Sequence, residues 1–399
     1  AVKMHFNTSI KRSSFRSVDW LVTLLLLLLA THFIIRKVYL NQFLADDLFD
    51  FQRALLTSCS FDLASPQSAF NRCFLQAYSW LYEIPIIYFL SVLSLVFCKF
   101  LTLIKIFENL DRSQETRILI IFSAAFALLL VTIGGGSRFL IGSAMILTKA
   151  DLTYRTWAQL LILVGLLTFV QRRYFVATIA FCPAILLQPL NSLNAIAIIG
   201  IAYLLIEQNK GIKRLPLYLV PLGVVVVFQY ISAYGWTLNT QTFGENALSA
   251  SSNVPTLEWF LYVYSQDPDD LSIWFNLTSN LGHGFLGIGF ALLVAFGMYF
   301  GVRVENCTSF GTLLKRPAFA ILLAGIAYLA ACLIFELAKA PAFVLEQLIV
   351  LQPRRVLYIP ILMSFYYIAR ATTQFVLQSH NQTGRDYFEL FFFYSIFSA

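Results

Sequence analysis

The sequence predicts an all-α protein: a polytopic membrane bundle of about ten helical spans, with interfacial helices in its long outer loops. Three observations lead there. Of 399 residues, 59% are apolar and only 12% are charged, against about a quarter charged in a soluble domain. Mean hydropathy is +0.73, so too little polar surface remains to wrap a water-soluble core. The apolar residues gather in runs near the roughly 20 residues a bilayer demands, and the cations lie between those runs, mostly on alternate sides. The same composition excludes disorder and coiled coil, and 12 prolines with 19 glycines exclude collagen-like or linker-dominated chains. The whole chain, 1–399, reads as a single transmembrane domain. Its net charge of +7 does not point to nucleic acid, because in such a protein Lys and Arg concentrate in cytoplasmic loops.

The first apolar run, Trp20 to Ile35, follows a tail holding Lys3, Lys11, Arg12 and Arg16 and is closed by Arg36 and Lys37. No small-x-small cleavage site follows, so an uncleaved first helix with a cytoplasmic N-terminus is expected. Spans are expected near 18–40, 84–107, 118–135, 156–171, 174–190, 193–206, 215–235, 281–302, 318–337 and 356–370. The terminal run Tyr387 to Phe397 is short for a span; it either lies in the interface or starts an eleventh. With the N-terminus inside, most of the 28 Lys and Arg fall in inner segments and most of the 21 Asp and Glu in outer ones. The segment 236–280 contains no Lys or Arg, which suits translocation. Function is sought on the outer face, where the long loops 41–83 and 236–280 meet the membrane. No internal or inverted repeat of the transporter kind is visible.

Six cysteines form no CxxC pair and no Cys/His cluster, which argues against structural zinc. Cys59 and Cys73 share the first outer loop, where oxidation is permitted. A bridge between them closes a loop of about 15 residues and contributes about 3 kcal/mol in the chain-entropy description. The alternative is a pair of free thiols.

The segment following the first span carries the most chemistry. Leu44, Leu48, Phe51 and Leu55 fall on one helical face, while Asp46, Asp50 and Arg53 project opposite and Asp47 lies at the edge. This is an amphipathic helix in the outer interface, with carboxylates at headgroup depth. Such a carboxylate can act as a general base or hold a divalent cation. The plainer reading is a solvated face with an Asp50–Arg53 pair worth a few tenths of a kcal/mol.

An acidic pair just beyond the first span resembles the GT-C superfamily of membrane glycosyltransferases. The resemblance implies a lipid-linked sugar donor, commonly a polyprenyl phosphate, and an essential acid at Asp46 or Asp47. Three further stretches resemble motifs of large prokaryotic membrane proteins of this type. Thr153-Tyr154-Arg155-Thr156-Trp157-Ala158 is similar to a T-P-R-x-x-A motif, with Tyr154 in place of proline. Gln188-Pro189 resembles an H-P motif, with Gln188 in place of histidine, and Gln352-Pro353-Arg354-Arg355 resembles a late Q-P-x-R motif. The likeness is one of layout over roughly 18–370, and it implies a place in a prokaryotic inner membrane. Glutamine cannot take a proton as histidine does, so the departure at 188 bears directly on activity.

A phosphate leaving group needs cations beside it. Arg138, Lys149, Arg155, Arg354 and Arg355 are expected in outer segments, against the general charge trend, and arginine's planar fork suits phosphate. Their plainer reading is snorkelling to lipid headgroups. Gly134-Gly135-Gly136 reads as a helix end or as a close backbone approach to a ligand. The stretch Gln188 to Asn194 reads as an outer turn between two short spans, with cavity lining as the second option. Asp267-Pro268-Asp269-Asp270 reads first as a turn and second as oxygen ligands for a divalent cation. Trp236, Trp259 and Trp274 suit the interface belt more simply than sugar stacking. Four histidines are too scattered for a metal site or relay; His283 reads as interfacial, and no nucleophile elbow is present.

The expected function is therefore transfer of a sugar from a polyprenyl-phosphate donor to an acceptor hydroxyl at the outer face, with membrane lipids as the other partners. Two rivals come from other classes. A non-enzymatic subunit packing on partner membrane chains would explain the 38 phenylalanines, and a transporter of lipid-linked sugar would need more intramembrane charge than is evident.

Overall fold

The computed structural model describes residues 85–110, 154–243, 281–305, 307, 309–337, 356 and 358–378. Among them every regular element is helical: α1 Pro85–Leu110, α2 Tyr154–Val170, α3 Tyr174–Leu187, α4 Pro189–Phe243, α5 Leu281–Glu305, α6 Phe310–Leu314, α7 Pro317–Leu337 and α8 Tyr358–Gln378. The expected spans near 18–40 and 118–135, and the terminal aromatic run, lie outside the described residues. By length and composition, the runs Leu90–Leu110 and Asn191–Phe228 are long and apolar enough to cross a membrane, the second interrupted at Gln208; Thr156–Val170, Tyr174–Leu187 and Pro317–Cys332 are shorter apolar helices.

The long α4 is two helices. Gln208 has φ 51° and ψ −133°, a conformation that interrupts the helical path. Tyr203 and Tyr218 would sit about 22 Å apart along a straight helix, yet their ring centroids are 5.5 Å apart, and the ring of Tyr174 touches both. The chain therefore bends back at Gln208. Leu222 of the second arm enters the same core as Ala195, Ile198 and Ala202 of the first. The arms correspond to the spans expected near 193–206 and 215–235.

The helices pack in the order α1, α2, α3, α4, α7, α8, α5, with α6 against the start of α7. Helix α8 is the centre: Tyr358 through Ala369 are buried on every side, as expected of a helix without a solvent face. Phe107 near the end of α1 stacks on Tyr366 at 5.9 Å. Close approach of α5 to α8 depends on glycines four residues apart. A Cβ at Gly297 would lie 2.7 Å from Ser364 Cα, and one at Gly301 would lie 3.1 Å from Phe319 and 3.2 Å from Tyr367. Small residues at such a stripe let the two backbones meet. Gly297→Leu should destabilise the bundle by about 1–3 kcal/mol or more, read as a lower unfolding midpoint in detergent. An unchanged midpoint would mean that α5 and α8 do not meet there.

One end of the bundle collects the charge. The links are local: Tyr174 donates to Glu207 at 2.8 Å, Arg172 donates to the Lys315 carbonyl at 3.5 Å, and Glu305 pairs with Arg316 at 3.1 Å and Arg370 at 2.8 Å. These contacts gather the α2–α3 turn, the α4 bend, the end of α5, the start of α7 and the later part of α8 at a common end. Every described Lys and Arg except Lys99 and Arg155 belongs to these segments or to the last turns of α1 and α5. The helices thus alternate in direction as the charge pattern predicts.

The α2–α3 turn is a Schellman motif: Arg173 N–H reaches the Thr168 carbonyl and Arg172 N–H the Phe169 carbonyl, at 2.9 and 2.8 Å. Its left-handed position, normally glycine, is occupied by Arg172 at φ 62°. A side chain there costs about 1–2 kcal/mol.

Candidate functional site

At the opposite end from the cations, the polar side chains are buried and mostly uncharged. Helix α3 stops at Gln188, whose φ −146° and ψ 86° leave the helical region, and Pro189 opens α4, where a missing N–H costs nothing. Gln188 N–H donates to the Ala184 carbonyl at 2.8 Å, and its own carbonyl accepts from Ser192 N–H at 3.2 Å. The Gln188 side chain is buried and accepts from Asn191 Nδ2 at 2.9 Å. One turn further, Asn194 Oδ1 accepts from the Tyr328 hydroxyl of α7. Gln188, Asn191 and Asn194 recur every three residues and form a polar stripe. The break expected over 188–194 is confined to Gln188, residues 189–194 being the opening turns of α4, and the amides of the stripe are buried.

Two atoms in this stripe are orphans. Among the described residues Asn191 Oδ1 and Ser192 Oγ are buried and find no hydrogen-bond partner, a state that costs about 1–3 kcal/mol per group unless something bonds them. Both atoms can accept a hydroxyl proton, and Ser192 can also donate one. Amides do not titrate, so the stripe supplies hydrogen bonds and no acid–base step.

A second buried polar cluster lies between α1 and α2. Lys99 is 1% exposed and donates through Nζ to Gln159 Oε1 at 3.1 Å, beside the buried Thr156. Lys99 sits within α1, not in a charged connection, and bonds the second turn of α2. The apolar context Val96-Phe97-Cys98-Lys99-Phe100-Leu101 held that signal, because an ionisable residue inside an apolar helix marks a functional position by default. Tyr328 carried no comparable signal. Gln159→Leu would remove an acceptor from a buried ammonium and should cost about 1.5–3 kcal/mol. The double change Lys99→Met with Gln159→Leu, which replaces both buried partners by apolar volume, should recover most of that loss. Thermal unfolding of the two variants checks this, and equal losses would contradict it.

Among the remaining expected site residues, Arg155 lies in the first turn of α2, one turn before Gln159. Asp46, Asp47, Arg138, Arg354, Arg355, Cys59 and Cys73 lie outside the described residues, as do Gly134–Gly136 and Asp267–Asp270. His283 is in the first turn of α5. Among the described residues no three His, Cys, Asp or Glu side chains come together as a metal site, and Cys98, Cys182, Cys307 and Cys332 form no disulfide with one another. No known protein family, curated protein or solved structure matches this chain.

Proposed function

We propose that the chain is a glycosyltransferase-like integral membrane protein of the GT-C kind, with about ten spans and its N-terminus in the cytoplasm of a prokaryotic cell. In this reading it transfers a sugar from a polyprenyl-phosphate donor to an acceptor hydroxyl at the outer face. The observation that supports it best is the division of the bundle into a cationic end and an opposite end lined by buried, uncharged hydrogen-bonding groups. The cationic end matches cytoplasmic loops. The other end is then the outer one, on the side where Asp46, Asp47, Arg354 and Arg355 are expected.

The chemistry follows from those positions. Asp46 or Asp47 takes the acceptor hydroxyl proton while the oxygen attacks the anomeric carbon opposite the phosphate. The bond from that carbon to the phosphate oxygen breaks, and its electron pair leaves with the polyprenyl phosphate. Arg354 and Arg355, joined by Arg138 and Arg155 of another expected outer segment, offset the phosphate charge. Gln188 serves as a binding and positioning group, since its side-chain oxygen is already engaged by Asn191. A divalent cation, if used, would draw on the outer carboxylates.

The second reading, a subunit of a larger membrane complex, is favoured by the exposed apolar residues Leu217, Val220, Val224 and Phe228 on the second arm of α4. Proteoliposomes loaded with labelled polyprenyl-phosphate sugars separate the two. Release of sugar-free polyprenyl phosphate that depends on the protein supports the transferase; no turnover of any donor supports the subunit.

A further inference from the structure

Among the described residues, the cations at the charged end outnumber the carboxylates available to them. Glu305 is taken by Arg316 and Arg370, Glu207 accepts from Tyr174, and Glu108 pairs with Lys105. Among the described residues no carboxylate pairs with Arg172, Arg173, Lys210, Lys213, Arg214 or Lys315, and all six are exposed. Arg172 and Lys315 are brought together across two separate turns, since the guanidinium reaches the Lys315 carbonyl.

Two further features distinguish this corner from a merely solvated basic face. Arg172 occupies a left-handed backbone position that glycine would fill without strain, so its side chain is kept at a cost; strain of this sort gathers at functional positions. Directly below the turn, Phe175, Val176 and Ile179 of α3 are all close to half exposed and share a face. That apolar face starts beside the guanidinium groups and runs about 9 Å down the helix. Phosphate chemistry above and hydrocarbon chemistry below describe one molecule, a membrane phospholipid.

We infer that Arg172, Arg173 and Lys315 bind the phosphate headgroup of an anionic phospholipid in the cytoplasmic leaflet, whose acyl chains lie along Phe175, Val176 and Ile179. The bend of α4 adds Lys210, Lys213 and Arg214 to the same field, with the exposed Ile212 among them; clusters of this size at a membrane surface attract anionic lipid. The site depends on the membrane reading of the chain and not on sugar transfer, so it stands or falls separately from the outer face.

The test is thermal unfolding of the purified full chain in nanodiscs of phosphatidylcholine alone or with phosphatidylglycerol, with retained lipid counted by native mass spectrometry. Phosphatidylglycerol should raise the midpoint of wild type and be retained. Arg172→Gly should raise the midpoint in pure phosphatidylcholine, because glycine suits the turn, yet lose retained phosphatidylglycerol at least three-fold. Lys315→Ala should show the same loss without the gain, and Lys105→Ala should leave retention unchanged. Equal stabilisation by both lipids would overturn the site, as would full retention in Arg172→Gly and Lys315→Ala. Reproduction of the midpoint shift by inorganic phosphate alone would also overturn it, in favour of a soluble anion.

Discussion

Asp46→Asn or Asp47→Asn should lower the rate of sugar transfer by roughly 10²–10⁴-fold, the contribution typical of a positioned general base. Substitution by asparagine keeps shape and most hydrogen bonding but removes the lone pair that accepts the acceptor's proton. Both residues are in a segment whose apolar positions are Leu44, Leu48, Phe51 and Leu55, so neither change touches the buried face of the expected helix and the unfolding midpoint should hold. Donor binding should also hold, because the arginines assigned to the phosphate are untouched; the loss belongs to the chemical step. Comparison of turnover with donor retention in each variant checks this. Full rates in both single variants would remove the acid–base role from this pair.

Glu305→Ala should destabilise the bundle by about 3–5 kcal/mol, the usual loss when one partner of a buried ion pair is removed. Glu305 is only 7% exposed at its side chain and holds Arg370, itself 19% exposed, while Arg316 is largely in solvent. The penalty therefore comes chiefly from Arg370, stranded beside the buried Tyr366 to which it also donates at 3.4 Å. Arg316→Ala should cost far less, about 1 kcal/mol or under, as for an exposed pair. A double change, Glu305→Leu with Arg370→Met, should recover much of the loss by replacing the pair with apolar volume. Unfolding midpoints for the set decide it; a double variant no better than Glu305→Ala would mean that the charges themselves hold α5 to α8.

Helix positions were legible wherever an apolar run ends in charge, proline or glycine. The apolar run at 156–171 forms the helix Tyr154–Val170, and that at 318–337 forms the helix Pro317–Leu337, because Arg172 and Arg316 bound those runs. The exception is instructive. Helix α8 runs to Gln378, past the end expected near 370, since Arg370 is neutralised by Glu305 and so does not end the helix. Residues 305, 316 and 370 share no sequence spacing, and their meeting is set by packing alone. The α5 stripe of Gly297 and Gly301 likewise acquires meaning only from Ser364 and Tyr367 opposite.

The site was legible in part. Gln188 and its proline announced a break between spans, because proline removes a donor and the amides replace it. That the amides turn inward, and that Tyr328 meets Asn194, depends on how α7 lies beside α4. Lys99 shows the limit of counting charges by segment: an ionisable group near the end of an apolar run belongs to the loop or to the core according to its partner, and Gln159 decided for the core.

In the proposed reading, the end opposite the cations handles a lipid-linked sugar donor. Native mass spectrometry of the purified protein incubated with polyprenyl-phosphate sugars, wild type beside Arg354→Ala/Arg355→Ala, tests it without knowledge of the acceptor. A polyprenyl-phosphate species retained by wild type and lost from the double variant is the predicted result. Retention of only bulk phospholipid by wild type, or equal retention of the polyprenyl species by both proteins, would contradict it.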